Sequence, residues 1–336
     1  MTSALPPLLS VKGLSVSVAS SRGVLPILAD VSFDVPSVGA VALVGESGSG
    51  KTMTALAILS LLPEGSVVKG TVELEGRNIL GLDEGELCKV RGGSIGMVFQ
   101  EPAAAFDPVY PVGSQIVEAL RLHRDISKKE AKKLAIEELR KVGMPAPEER
   151  MTSYPHELSG GMRQRALIAM ATIAGPKLLL LDEPTTALDR TIEAQVLELL
   201  ADLRKESSTG LLLISHDLAV VAEVTEHIVV LYAGEVVERG RTAEVVKDPL
   251  HPYTQALLAS IPDPLARGPR KRGEKIDRLP ILAGAPPDMT DLPSGCRFAP
   301  RCDRRRKECD EPVMLRKHDG GAREVRCVLY DDEEVP

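Results

Sequence analysis

The stretch from Val41 to Leu59, VALVGESGSGKTMTALAIL, constrains this chain more than any other. Val41 to Val44 form an apolar run that reads as a buried strand, and the pattern G-x-x-x-x-G-K-T follows it directly. Its residue types define a phosphate-binding Walker A loop. Gly45, Gly48 and Gly50, with Ser47 and Ser49 between them, let backbone N–H groups close around phosphates. Lys51 brings charge to the β and γ phosphates, and the Thr52 hydroxyl suits a bound Mg²⁺. A helix from Thr52 to about Leu62 would turn its positive end to the same anion. The plainer alternative is a glycine-rich turn between a strand and a helix, but the full match in strand–loop–helix context favours nucleotide binding.

Around this loop the chain divides by pattern. LLSVKGLSVSV and ILADVSFDV alternate as antiparallel strands do, and GTVELEGRNIL from Gly70 reads as another. SIGMVFQ is a further apolar strand, ending in Gln100. Helical patterns follow in VGSQIVEALRLH and in SKKEAKKLAIEELRKVG, where Ser127 and Glu130 make a capping box and Gly143 closes the end. The span from about 101 to 160 is thus expected to be a helical insertion inside an α/β domain. Beyond it, helices alternate with continuously apolar strands, KLLLLDEP and LLLISH, which implies a mostly parallel sheet covered on both faces. A hairpin, HIVVLYAGEVVERG, and a short helix near TAEVVKD bring this part to its end. After Ile261 prolines and glycines become frequent, with an embedded basic run, RGPRKRGEKIDR, so little regular structure is expected there.

Composition narrows the class. With 336 residues, 43% hydrophobic and 26% charged, the chain has the composition of an ordinary soluble globular protein and the length for more than one domain. The net charge of −7 argues against nucleic acid as principal partner. The start, MTSALPPLLSVKG, lacks the pattern of a signal peptide, and no apolar run approaches the roughly 18 residues of a membrane helix.

Two further motifs choose among phosphate-loop proteins. In LLLLDEP, Asp182 stands at the tip of a buried strand, where it suits Mg²⁺, and Glu183 follows where a carboxylate can polarise an attacking water. A surface turn would not need four preceding leucines. LSGGMRQR, from Leu158 to Arg165, places the Ser159 hydroxyl and the close-approach positions Gly160 and Gly161 at a helix start, making a second anion site. Residue chemistry alone leaves a simple glycine-containing helix start equally open.

Taken together these residues resemble the nucleotide-binding subunits of ABC transporters, over nearly the whole chain. The resemblance covers Walker A, Gln100 as Q-loop glutamine, the signature from Leu158 to Gln164, Asp182 and Glu183 as Walker B, a D-loop TALD ending in Asp189, and His216 as switch histidine. It implies an ABC ATPase fold with a RecA-like core, an antiparallel β subdomain and an inserted α-helical subdomain. It also implies ATP and Mg²⁺ as ligands, with Thr52, Gln100 and Asp182 at the metal and Glu183, His216 and Gln100 as the catalytic set. Two such domains would pair head to tail, so that Ser159, Gly160, Gly161, Gln164 and Asp189 cover a nucleotide held by the partner. One departure is Val18, which stands where the family usually stacks adenine on an aromatic ring.

YPHELSGGMRQRALIAMA, HPYTQALLASIP and CRFAPRC are similar to the ATPases of oligopeptide and dipeptide importers. The expectation is a domain over 1–255 and a C-terminal extension over 256–336. The partners implied are a second related ATPase in a heterodimer, two permeases and an extracytoplasmic solute-binding protein, with the chain peripheral at the cytoplasmic face of the membrane. Importers of nickel or oligosaccharide are alternatives within the group. A soluble ABC ATPase of nucleic-acid metabolism is the rival from another class, opposed by the acidic charge and the short insertion.

Cys296, Cys302, Cys309 and Cys327 are spaced C-x5-C-x6-C-x17-C. Four thiolates suit a 4Fe-4S cluster or zinc. The lack of a C-x2-C pair and the nearby Arg297, Arg301, Arg304, Arg305 and Arg306 favour the cluster, as does the resemblance, since some members carry one in this extension.

Overall fold

The computed structural model describes residues 6–21, 23–102, 104–186, 189–207, 209–260, 284–318 and 321–330. The basic run at 267–278 and the Ala187 and Leu188 positions of TALD lie outside them. In chain order, β1 (Leu9–Ser20) and β2 (Gly23–Val35) form a long antiparallel pair, and β3 (Gly39–Val44) delivers the phosphate loop to α1 (Lys51–Ile58). The predicted strand GTVELEGRNIL is instead β4 (Val67–Leu74) and β5 (Arg77–Asn78), because Glu75 and Gly76 both take positive φ and turn the chain into a hairpin. Next come α2 (Glu84–Val90), capped by Asp83, and β6 (Ile95–Val98).

The helical insertion holds α3 (Val112–His123), α4 (Lys128–Lys141) and α5 (Pro147–Arg150) and leads into α6 (Gly160–Thr172). The Ser127 hydroxyl accepts the Glu130 N–H at 3.2 Å, as the capping pattern implies, and Gly143 stands beyond the end of α4 with φ +71°. The chain then runs through β7 (Leu178–Asp182), α7 (Arg190–Ser207), β8 (Gly210–Ser215), α8 (Leu218–Val224) and the hairpin β9 (His227–Tyr232) and β10 (Glu235–Arg241). Helices α9 (Thr242–Lys247) and α10 (Pro252–Ala259) follow, and the C-terminal segment adds β11 (Arg316–Lys317) and β12 (Glu324–Val325).

Among the described residues the strands make two sheets, β2-β1-β4-β5 and β11-β12-β10-β9-β3-β8-β7-β6. In the larger one β6, β7, β8, β3 and β9 are mutually parallel. Alternation along its central strands assigns the two faces. Ala40, Ala42, Leu179, Leu181, Leu211 and Leu213 enter the core shared with the helices. Val41, Leu43, Leu178, Leu180, Leu212 and Ile214 enter the core shared with α1 and the antiparallel sheet. The apolar runs are continuous because both faces are covered, and truncating Leu180 or Leu213 to Ala would cost about 2–5 kcal/mol.

The C-terminal segment is tied to the main sheet. β12 pairs antiparallel with β10, and the buried Arg326 donates to the Val236 carbonyl at 2.9 Å and the Val313 carbonyl at 3.0 Å. Glu238, fully buried, accepts from Arg323 at 3.0 Å and from the amides of Leu250 and His251. Its charge is therefore matched, as burial requires. No helix among the described residues is long and apolar enough to cross a membrane.

Candidate functional site

The phosphate loop owes its path to glycine. Gly45, Gly48 and Gly50 have φ of +155°, +79° and +104°. A Cβ on Gly45 would stand 2.2 Å from the Leu231 carbonyl oxygen, and one on Gly50 2.6 Å from Leu28. Gly50 precedes α1 in the left-handed conformation and supplies no side-chain cap, which leaves the first amides of α1 for another acceptor. Ser49 Oγ is buried with no protein partner. A cradle of this shape with an orphaned hydroxyl fits a polyphosphate.

Lys51 is 5% exposed and donates to the carbonyls of Gly45 at 2.8 Å and Glu46 at 2.9 Å. Burial lowers its pKa, while the carboxylates of Glu183, Asp182 and Glu46 act the other way. The Thr52 hydroxyl lies 3.3 Å from Asp182 Oδ1, so the end of β7 and the start of α1 bring together a hydroxyl and a carboxylate, a donor set that fits Mg²⁺. Burial raises the Asp182 pKa, opposed by the Thr52 hydrogen bond.

Glu183 follows β7 in the left-handed region, with φ +47°, a conformation that costs of order 1–3 kcal/mol and clusters at functional sites. Three groups converge on its Oε2. Gln100 Nε2 donates at 3.0 Å, Thr186 Oγ1 donates at 2.9 Å, and His216 Nδ1 lies 3.3 Å away. Gln100 follows β6 and His216 follows β8, the strands on either side of β7, so parallel pairing in the order β8-β7-β6 brings all three to one edge. Ligands commonly bind at this carboxyl edge of a parallel sheet.

The signature residues stand elsewhere. Ser159 caps α6 by accepting the Met162 amide at 3.3 Å, and Gln164 is buried with its Nε2 unpartnered. A Cβ on Gly160 would meet open space, whereas one on Gly161 would stand 2.7 Å from Ile192. Helix α6 packs on α3, α4 and β6, while α1 packs on β2 and β7. Asp189 caps α7, accepting the amides of Thr191 and Ile192 at 3.0 Å each. Val18 is half-buried on β1 opposite Leu25.

Comparison with known proteins bears on these parts together. The pattern described as ABC transporter matches residues 28–186, and that of the oligopeptide/dipeptide transporter C-terminal region matches 237–309. The oligopeptide transport ATP-binding protein AppD of Bacillus subtilis (strain 168) is 44% identical over 330 residues, covering 97% of this chain and 98% of that protein. The chain belongs to the ABC transporter ATP-binding family. OppD of the same organism is 47% identical over 296 residues, covering 88% of this chain and 81% of that protein. Among solved structures, the dimeric ATP-binding cassette MJ0796 bound to ADP and Pi matches with a TM-score of 0.63 and 27% identity, over 70% of this chain and 98% of that one. The fold is thus that of an ABC ATPase, a class that hydrolyses ATP.

The 4Fe-4S cluster expected at Cys296, Cys302, Cys309 and Cys327, and zinc as its alternative, are not supported. Among the described residues no group of three or more His, Cys, Asp or Glu side chains is placed to hold a metal ion. The four cysteines border a cavity of only about 10 Å³. Burial pushes the Cys296 thiol up to about 11 and the Cys302 thiol upward, which disfavours a free thiolate at either. Three of the five arginines read as counter-charge are engaged with protein groups: Arg301 with Glu46, Arg297 with Glu235, Arg305 with Asp310. Cys309 instead packs with Ala299, Val313 and Val328 in a small core.

Several residues at this ABC ATPase site escaped the sequence reading. Thr186 was visible only as the start of TALD, without its bond to Glu183. Glu46 occupies an unspecified position of the G-x-x-x-x-G-K-T pattern, yet its amide donates to Tyr253 Oη at 2.7 Å and its carboxylate pairs with Arg301. The signal available was a buried-type aromatic in HPYTQ and an arginine in CRFAPRC, but neither points to a partner some 200 residues away.

Proposed function

We propose that this chain is the ATP-hydrolysing motor subunit of an ABC importer for oligopeptides or dipeptides. The observation that carries the reading is the convergence of Gln100, Thr186 and His216 on Glu183, one residue beyond an Asp182 that meets the phosphate-loop Thr52. Backbone amides of the phosphate loop other than that of Glu46, with Lys51 and Ser49, bind the phosphates of ATP. Thr52, Asp182 and Gln100 are the residues for Mg²⁺, which when bound neutralises phosphate charge. Glu183 takes a proton from water as its oxygen bonds to the γ phosphorus and the bond to the bridging oxygen breaks, yielding ADP and phosphate. Gln100 and His216 hold the Glu183 carboxylate for that transfer.

Ser159, Gly160, Gly161, Gln164 and Asp189 act on a nucleotide held by the opposing domain. This reading is supported by the placement of the signature on α6, which packs on α3, α4 and β6 while α1 packs on β2 and β7, and by its open glycine. The opposing domain is a second, related ATPase, and the pair drives two permeases fed by an extracytoplasmic solute-binding protein from the cytoplasmic face of the membrane. The nucleotide-binding domain takes residues 1–255, with the helical insertion at about 101–160, and the extension takes 256–336. Peptides are preferred over nickel or oligosaccharides because the relatives are described as oligopeptide transporters and the extension matches the pattern of that group.

The test is reconstitution of the chain with its genomic neighbours in proteoliposomes. ATP hydrolysis stimulated by the binding protein loaded with peptide is expected. Stimulation by nickel, by oligosaccharide or by nucleic acid alone would overturn the assignment.

A further inference from the structure

The C-terminal segment reaches the phosphate loop itself. Arg301 Nη1 lies 2.7 Å from Glu46 Oε2 and Nη2 lies 3.1 Å from Oε1, a two-pronged pairing of a guanidinium that is 5% exposed. Nη1 also donates to Tyr232 Oη at 3.2 Å. Every polar group of Glu46 is engaged: the amide donates to Tyr253 Oη, the carbonyl accepts from Lys51, and the carboxylate is held by Arg301. In a chain with five tyrosines, four phenylalanines and no tryptophan, three of these rings meet behind the loop. Tyr232 lies 4.6 Å from Tyr253 and 5.2 Å from Phe298, centroid to centroid. A second tie runs through Arg297, which donates to the Ala233 carbonyl, while the amide of Gly234 donates to the Ser49 carbonyl at 2.9 Å.

We propose that Arg301 is a positioning residue for ATP binding: by neutralising and holding Glu46, the C-terminal extension sets the phosphate loop's affinity for nucleotide. The proposal rests on the phosphate-loop reading above. Its physics is that Glu46 places a carboxylate in a loop built for a polyanion. Paired, that charge is cancelled and Glu46 is fixed with its carbonyl on Lys51. Unpaired, it repels the phosphates and frees the loop.

The test measures MgATP binding to the purified full chain by calorimetry, and kcat and KM in the assembled transporter. Arg301→Gln is expected to weaken binding by roughly tenfold or more, as loss of one partner from a desolvated ion pair does, raising KM while kcat stays within about twofold. Arg301→Lys should fall between. Glu46→Gln should bind at least as well as the parent, and the double variant should bind like Glu46→Gln, because Arg301 acts through that carboxylate. Arg305→Ala, which removes an exposed pair within the extension, should bind as the parent does. Should Arg301→Gln fail to fold, the double variant and Glu46→Gln still test the coupling. Parent affinity in a folded Arg301→Gln, or a double variant as weak as the single, would overturn the proposal. A parent chain that binds no MgATP would instead overturn the functional reading beneath it.

Discussion

His216 Nδ1 lies 3.3 Å from Glu183 Oε2, the oxygen that Gln100 Nε2 and Thr186 Oγ1 also reach. Two donors and an imidazole nitrogen around one oxygen fix the carboxylate's direction, which is the pre-organisation a general base needs.

Glu183→Gln therefore keeps the shape of the site and removes its basicity. Steady-state hydrolysis by the assembled transporter should drop by about a hundredfold or more, while MgATP affinity stays within about threefold. Turnover near the parent rate would remove Glu183 from the role of base.

Asp182 is buried with a raised pKa, so its carboxylate is held against a desolvation cost in the absence of ligand. Asp182→Asn should stabilise the nucleotide-free chain by about 1 kcal/mol, a rise in Tm of about 2–4 °C for a domain of this size. It should also abolish the further rise that Mg²⁺ with ATP produces in the parent. A Tm that drops in the free variant would contradict this account.

Gly160 has open space beside its α-carbon and an ordinary negative-φ helical position, whereas Gly161 abuts Ile192. Gly160→Ala should thus leave the isolated chain as stable or more so, by about 0.4–1 kcal/mol, while cutting hydrolysis in the assembled transporter at least about tenfold by blocking close approach of the opposing nucleotide. Gly161→Ala should destabilise the chain itself by about 1–3 kcal/mol. Unfolding midpoints of the isolated variants, set beside transporter ATPase rates, separate the two effects.

His251 is buried, and its Nδ1 accepts the Tyr253 amide at 3.0 Å. Burial, aided by Arg326, pushes its pKa down from 6.5 to about 3. A depressed pKa means that the unfolded chain takes the proton first. The stability contributed by neutral His251 is complete above about pH 6.5 and is lost as pH falls from there towards about 3, by up to about 1.4 kcal/mol per unit. His251→Asn keeps an acceptor for the amide and cannot titrate, so its Tm should fall less steeply between pH 6.5 and 4.5. Parallel Tm–pH curves for parent and variant would count against His251 as the acid-sensitive group.

Much of the fold was legible because its signals are local. The helix at Val112–His123 and the Ser127 cap were readable from period and capping chemistry alone. Helices α2 and α8 were not, since each is only seven residues long and offers little periodicity, although Asp83 and Asp217 stand ready as caps. The hairpin break at Glu75 and Gly76 was also missed, because a strand-like alternation continues through it while the backbone turns.

By itself, the sequence determined what short-range chemistry can determine: a glycine path for phosphates, a lysine and threonine at its end, and buried strands that carry Asp182 and Glu183. Those follow from φ preferences and from hydrogen bonds between near neighbours, which residue types constrain directly. Tertiary structure alone decided which distant groups meet. It brought Gln100 and His216 to Glu183 through strand order, and Arg301 to Glu46 across 255 positions. It also decided that Arg297, Arg301 and Arg305 serve protein carboxylates, and that Cys296, Cys302 and Cys309, whose spacing suggested a cluster, contribute to packing instead. Charge and sulfur in a sequence announce only a capacity to bind. Which partner they take depends on the low-dielectric contacts that form when the sheet and its extension pack together.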